Sequence, residues 1–359
     1  MAQIDQFLKV LVEQGGSDLH LTVGSPPIMR VHGHLQRIKF RELSQSDMEA
    51  LIYEIMEEDW RISFVDDLDY DFAYEIEGLA RFRANVFWQR KGLGLVMRTI
   101  PEKILTADEL GLPEAVRRLC MLTKGLVLVT GPTGSGKSTT LAAMVDLINE
   151  SRADHVLTIE DPIEFVHPNK KSLVNQREIR TNTKSFANAL RAALREDPDV
   201  ILVGEMRDRE TIELGMTAAE TGHLVFGTLH TNSAPKTVDR IIDVFPAEEQ
   251  EQIRSMLAES LKGVIAQVLL RHKNGKSRMA AMEIMVGTSA ISNLIRENKI
   301  HQIPSIIQTG KKDGMQLLDQ HVLEFLMQGM ITPEEAYMKA NNKQAFLQHL
   351  DKPPETEFV

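Results

Sequence analysis

The chain has 359 residues, 43% of them hydrophobic and 26% charged, and a formal net charge of −10. That length favours two domains, the composition is that of a globular protein, and the acidic balance argues against a basic nucleic-acid-binding stripe. The single cysteine, Cys120, excludes an internal disulfide and a four-cysteine zinc site, and no stretch reaches the roughly 20 apolar residues of a membrane span.

Residues 1–14 form an amphipathic pattern carrying Asp5, Lys9 and Glu13, without the basic start and apolar core of a signal peptide. A cytoplasmic location is expected. Residues 17–23 and 28–31 read as strands. His32-Gly33-His34 reads as a turn and 35–40 as a further strand. Ser44 with Asp47 predicts a capping box, followed by Met48, Leu51, Ile52, Ile55 and Met56 at helical spacing. After the acidic run 66–71, residues 81–88 alternate: Phe82, Ala84, Val86 and Trp88 to one face, Arg81, Arg83 and Asn85 to the other. This part predicts a small α+β domain with an antiparallel sheet.

Pro101 and Pro113 punctuate a connector. Beyond it, strands at 125–130, 155–159, 200–203 and 224–229 alternate with helices at 139–150, 186–195 and 211–220. That alternation predicts a parallel sheet with helices on both faces. Residues 264–271 and 279–286, separated by Asn274-Gly275, predict a hairpin. From Thr288 on the pattern is helical, with Thr332, Pro333 and Glu335 marking one helix start and 352–359 a frayed tail.

Gly131, Pro132, Thr133, Gly134, Ser135, Gly136, Lys137 and Ser138 match the phosphate-loop pattern in full, between an apolar strand and a helix that takes in Thr139. Glycines let the backbone turn its N–H groups toward phosphate oxygens, and the helix adds its positive dipole end. Lys137 supplies a charge to the β- and γ-phosphates, and the Ser138 hydroxyl is a ligand for Mg²⁺. Hydrolysis needs more than this loop. The strand 201–205 ends in Gly204-Glu205, with glycine where an aspartate often sits, so Glu205 is the acid left to act on Mg²⁺ or on the attacking water. Glu160, Asp161 and Glu164 follow another strand end, where α/β sheets hold ligands. They are candidates for general base or water positioning, and a solvated acidic loop is the alternative. His223 and His230 flank a further strand; His230 is a candidate γ-phosphate sensor and His223 a candidate nucleotide contact.

These four elements, in this order, closely resemble the secretion and type IV pilus ATPase superfamily, and within it the pilus-retraction ATPases. Residues 17–21 and 290–297 share the likeness, although Ser292 stands where members often carry arginine. The resemblance implies an α/β chain: a PAS-like N-terminal domain over 1–100, a linker over 101–113, and a RecA-like P-loop ATPase domain with C-terminal helices over 114–359. It implies ATP and Mg²⁺ and a homo-hexamer, with Arg83 and Arg98 contributed to a nucleotide by an adjoining N-terminal domain. It further implies a motor for type IV pilus retraction and twitching motility, peripheral at the inner membrane. Domain closure would be passed to an inner-membrane platform protein, with a paralogous retraction ATPase as a further partner and no nucleic acid. Assembly ATPases of the superfamily usually add an N-terminal domain and a four-cysteine zinc insert; the single cysteine and the early start of the PAS-like part favour retraction. An assembly or secretion ATPase, a nucleic-acid-dependent RecA-like ATPase, a small-molecule kinase and a non-hydrolysing regulator are the alternatives. Which of Glu160, Glu164 and Glu205 serves as base stays open.

Overall fold

The computed structural model describes residues 2–31, 33–100, 103–275 and 277–350. His32 of the expected turn, Pro101 of the connector and the tail 352–359 lie outside the described residues. The chain forms two compact units. The first comprises Met1–Lys103 and Pro162–Val166, the second Ile104–Asp161 and His167–Val359.

In the first unit, strands β1 (Gly16–Thr22), β2 (Ile28–Val31), β3 (His34–Arg37), β4 (Asp69–Ile76), β5 (Ala80–Gln89) and β6 (Gly92–Ile100) form one sheet in the order β3-β2-β1-β6-β5-β4. Every pairing is antiparallel. Leu19, Leu21, Phe82, Ala84, Val86, Leu95 and Met97 share a core with apolar residues of the helices Asp5–Glu13, Gln45–Tyr53 and Glu58–Asp67. The Ser44 capping box forms as expected: its hydroxyl accepts from the Asp47 N–H, and the Asp47 carboxylate accepts from the Ser44 N–H. The alternation in β5 fails at its end. Trp88 is 43% exposed, because the strand is finishing there and Phe64 stacks on one ring face at 6.4 Å. The acidic run 66–71 divides between a helix end and the start of β4.

The second unit is built on strands β7 (Gly125–Thr130), β8 (His155–Glu160), β9 (Leu173–Glu178), β10 (Val200–Val203), β11 (Leu224–Leu229), β12 (Leu261–Arg271) and β13 (Arg278–Val286). Their order is β13-β12-β7-β11-β10-β8-β9, all parallel except the β12–β13 hairpin. Successive residues of β7 feed two cores. Leu126 and Leu128 pack with Leu190, Ile212, Met216 and Val238; Val127 and Val129 pack with Val116, Leu119, Met144 and Ile148. Both faces are therefore covered by helices, which is why β7, β10 and β11 are buried along their whole length. Each fully buried aliphatic side chain contributes about 1.5–3 kcal/mol. Strand β9 escapes a sequence reading because it is an edge strand with a largely polar sequence, LVNQRE. Cys120 is buried, and burial pushes its thiol up to about 12, so it is an inert packing residue.

His167, in the second unit, is buried, and its Nδ1 has no hydrogen-bond partner. Burial pushes its pKa down to about 4, with Asp146 opposing the shift. An unfolded histidine titrates near 6.5, at about which pH the unfolded chain takes up a proton that the folded chain refuses. The second unit should accordingly lose on the order of 1–3 kcal/mol as the pH falls from about 6.5 to about 4. Denaturant titrations across that range will show the slope, and His167→Gln will flatten it; an unchanged slope in the variant would assign the effect to other groups.

Candidate active site

The parallel register brings four strand ends to one edge of the second unit. Val156, Val200, Leu224 and Gly125 lie in one row across β8, β10, β11 and β7. Counting forward from that row places Glu160, Gly204, Thr228 and Val129 at one level, with Glu205 and His230 just beyond.

The loop after β7 enters the helix Lys137–Ser151 through three glycines with positive φ: +147° at Gly131, +76° at Gly134 and +87° at Gly136. At Gly131 a Cβ would stand 2.3 Å from the Gln267 carbonyl oxygen and 2.6 Å from the Ser135 hydroxyl. Gln267, on β12, also donates its side-chain amide to the Ser135 carbonyl at 2.7 Å. The loop is thus pinned to β12 on one side and to β11 on the other, where the Gly131 N–H meets the Leu229 carbonyl. Pro132, Thr133 and Gly134 are exposed, while Lys137, Ser138 and Thr139 are half-buried at the helix start. Lys137 donates to the carbonyls of Gly131 at 2.9 Å and Pro132 at 3.2 Å. The Ser135 hydroxyl is buried without a hydrogen-bond partner. A strand-to-helix cradle closed to any side chain at Gly131, with a lysine at its mouth, fits a polyphosphate, and the Ser138 hydroxyl at the helix start fits a ligand of its Mg²⁺.

The acid after β10 has a firm setting. Glu205 Oε1 lies 2.9 Å from His230 Nε2 and accepts from Arg207 Nε. Its side chain is 20% exposed. Met206 follows with a buried side chain seated against Gly215 and Gly227, and its N–H donates to the Thr228 carbonyl at 3.0 Å. The Thr228 hydroxyl donates to the Gly204 carbonyl. Glycine at 204 has a local cause. A Cβ there would lie 3.1 Å from the Ile159 oxygen and 3.2 Å from Glu160 Cα, so a side chain would need β8 to give by a few tenths of an ångström. Glu160 Oε1 accepts from the Thr158 hydroxyl at 2.6 Å and from Gln176 Nε2 at 3.1 Å.

Of the residues singled out from sequence, the structure gathers the phosphate loop, Glu160, Glu205 and His230 at this edge. His223 flanks the same strand as His230, as expected. It precedes β11 at the opposite, amino end of the strand, seven residues and roughly 23 Å of extended chain from His230. There its Nδ1 lies 2.9 Å from the Ala218 carbonyl, a local structural contact. Glu164 belongs to Pro162–Val166, a segment of the first unit. Arg83 and Arg98 are direct cross-strand partners on the first unit's sheet. Arg98 donates to Asp18 at 2.9 Å, and Arg83 lies 3.6 Å from Asp71. Burial would raise the Asp18 pKa, but bonds from Ser17 and Arg98 outweigh it and hold the carboxyl below its ordinary value. Sequence reading missed Gln267, Arg207 and Asp18. Arg207 was two residues from a marked acid; the partners of Gln267 and Asp18 lie 132 and 80 residues away.

The pattern of the type II/IV secretion system protein family matches residues 2–339. The chain belongs to that family. It is similar to the type IV pilus retraction ATPase PilT of Pseudomonas aeruginosa, with 57% identity over 343 residues, covering 96% of this chain and 99% of that protein. A twitching motility protein of Neisseria gonorrhoeae is 54% identical over 319 residues, covering 89% of this chain and 85% of the relative. Among solved structures, the pilus retraction motor PilT with bound ADP superposes with a TM-score of 0.88 at 48% identity, covering 96% of this chain and 98% of that one. These family relatives span both units, so the likeness is not confined to the phosphate loop.

The two loop glycines make a contrast. Gly131→Ala meets backbone and should destabilise the second unit by on the order of 1–3 kcal/mol and abolish nucleotide binding. Gly134→Ala, with open space around it, carries about 1 kcal/mol of backbone strain alone. Thermal melts and titration with a fluorescent adenine nucleotide will rank the two; equal losses would refute the pinning by β12.

Proposed function

We propose that this chain is an ATP-hydrolysing motor that powers type IV pilus retraction. The observation that carries the reading is the Glu205–His230 pair at the strand edge that also holds the phosphate loop, in a chain 57% identical over nearly its full length to a pilus retraction ATPase. In this reading the first unit is a PAS-like domain and the second a RecA-like ATPase domain with C-terminal helices. The chain works as a homo-hexamer in the cytoplasm, peripheral at the inner membrane. Its stroke passes to an inner-membrane platform protein, with a paralogous retraction ATPase as a further partner.

The loop amides and Lys137 hold the β- and γ-phosphates of ATP, and Ser138 with Glu205 holds Mg²⁺. The ion's chemistry is to neutralise charge that develops on the phosphoryl oxygens. Both contacts to Glu205 fall on Oε1, leaving Oε2 to orient the attacking water. His230 carries the state of the γ-phosphate to that carboxylate. Glu160 and Glu164 are the other candidates for the base; Glu160 already accepts two hydrogen bonds, which makes it the poorer one. Arg83 and Arg98, placed side by side at the cost of like-charge repulsion, form a receptor for phosphate supplied to a nucleotide by an adjoining N-terminal unit. Closure of the two units on nucleotide, and release after hydrolysis, is the stroke.

The reading makes separable demands on two residues. Lys137→Ala should lower ATP turnover by at least about 100-fold by weakening binding and catalysis together. Glu205→Ala should lower turnover comparably while retaining bound ATP, seen as ATP rather than ADP on the isolated protein. Normal steady-state turnover in Glu205→Ala would remove its role. In cells lacking the protein, pilus retraction restored equally by wild type and by Lys137→Ala would remove the motor.

A further inference from the structure

The first unit exposes an apolar stripe that its own core does not use. Ile62 and Val65 lie three residues apart on the helix Glu58–Asp67, and Leu68 follows three residues later as its C-cap. Trp88 joins them: its ring stacks on Phe64 of the same helix, and its backbone N–H donates to the Leu68 carbonyl at 3.0 Å. The four side chains are between 43 and 61% exposed.

Leu68 makes this stripe more than scattered surface hydrophobics. Its φ is +62°, a conformation that costs a leucine about 1–2 kcal/mol and a glycine nothing. The other non-glycine residues with positive φ among those described are Arg180, Asp197 and Asn298, all polar. A left-handed helix end with an exposed side chain is ordinarily given to glycine or asparagine. Here the chain keeps a leucine whose side chain contributes little to its own core, which is the pattern of a residue retained for contact with another molecule.

Charge says what that molecule carries. Exposed Glu58 and Asp59 stand at one end of the helix, and Asp66, Asp67 and Asp69 at the other. The helix's own cation, Arg61, is turned back: it donates to the Met56 and Tyr53 carbonyls and lies over the Tyr53 ring. Arg90 and Lys91, at the β5–β6 turn, are the nearest basic residues in sequence to Trp88 and leave the surface predominantly acidic. We propose that Ile62, Val65, Leu68 and Trp88 form a docking surface for a basic amphipathic helix of a partner protein. The apolar face of that helix covers the stripe, and its lysines and arginines meet the acids at both ends. This goes beyond the nucleotide site, and its test does not depend on turnover.

The probe is a labelled helical peptide of about 18 residues, leucine on one face and lysine on the other, compared by fluorescence anisotropy with its glutamate counterpart on the full chain. The lysine peptide should bind and weaken with added salt, and the glutamate peptide should not. Leu68→Gly, which relieves the backbone and so leaves the fold intact, should weaken binding at least about tenfold, as should Asp66→Asn combined with Asp67→Asn. Equal binding of both peptides, or wild-type affinity in Leu68→Gly, would overturn the proposal. So would a change in the number of assembled subunits on sedimentation of Leu68→Gly, which would make the face a contact between copies of this chain.

Discussion

The constraint on which the second unit depends is the common register of β7, β11, β10 and β8. Parallel pairing fixes which residue of each strand lies beside which, and a one-residue slip would turn every side chain to the opposite face. Because the four strands start in one row, their carboxyl ends finish within one or two residues of one another. Glu205 and His230 meet for that reason. The phosphate loop arrives at the same edge because it is the continuation of β7, and Gln267 on neighbouring β12 holds its backbone there.

The first unit obeys a different logic. Its antiparallel sheet gives one face to a core shared with three helices and leaves the other to charged residues. Placing Arg83 opposite Arg98 costs repulsion, which Asp18 and Asp71 partly offset. The four side chains tie β1, β6, β5 and β4 together across this face.

The sequence made the period of most elements readable. Strands buried on both faces, such as VILV at 200–203, appear as continuous apolar runs. Caps such as Ser44 and Thr332 mark helix starts within a residue. The phosphate loop was legible because its chemistry is contiguous. What stayed hidden was set by distant contacts. Strand β9 is polar because it lies at an edge, and Trp88 breaks an alternation that only the end of the strand explains. That His223 and His230 flank a strand was legible; the contact of His223 with the Ala218 carbonyl was not. Glu205 could be marked as an acid at a strand end, but its engagement with His230 and Arg207 depends on how neighbouring strands align.

Gly204 sets how closely the ends of β8 and β10 can approach. A Cβ there would stand 3.1 Å from the Ile159 carbonyl oxygen and 3.2 Å from Glu160 Cα, so any side chain at 204 asks β8 to give by a few tenths of an ångström. Glu160 ends β8, so that shift would be felt at an acid of the same edge. The glycine thereby holds Glu160 and Glu205 at their present spacing.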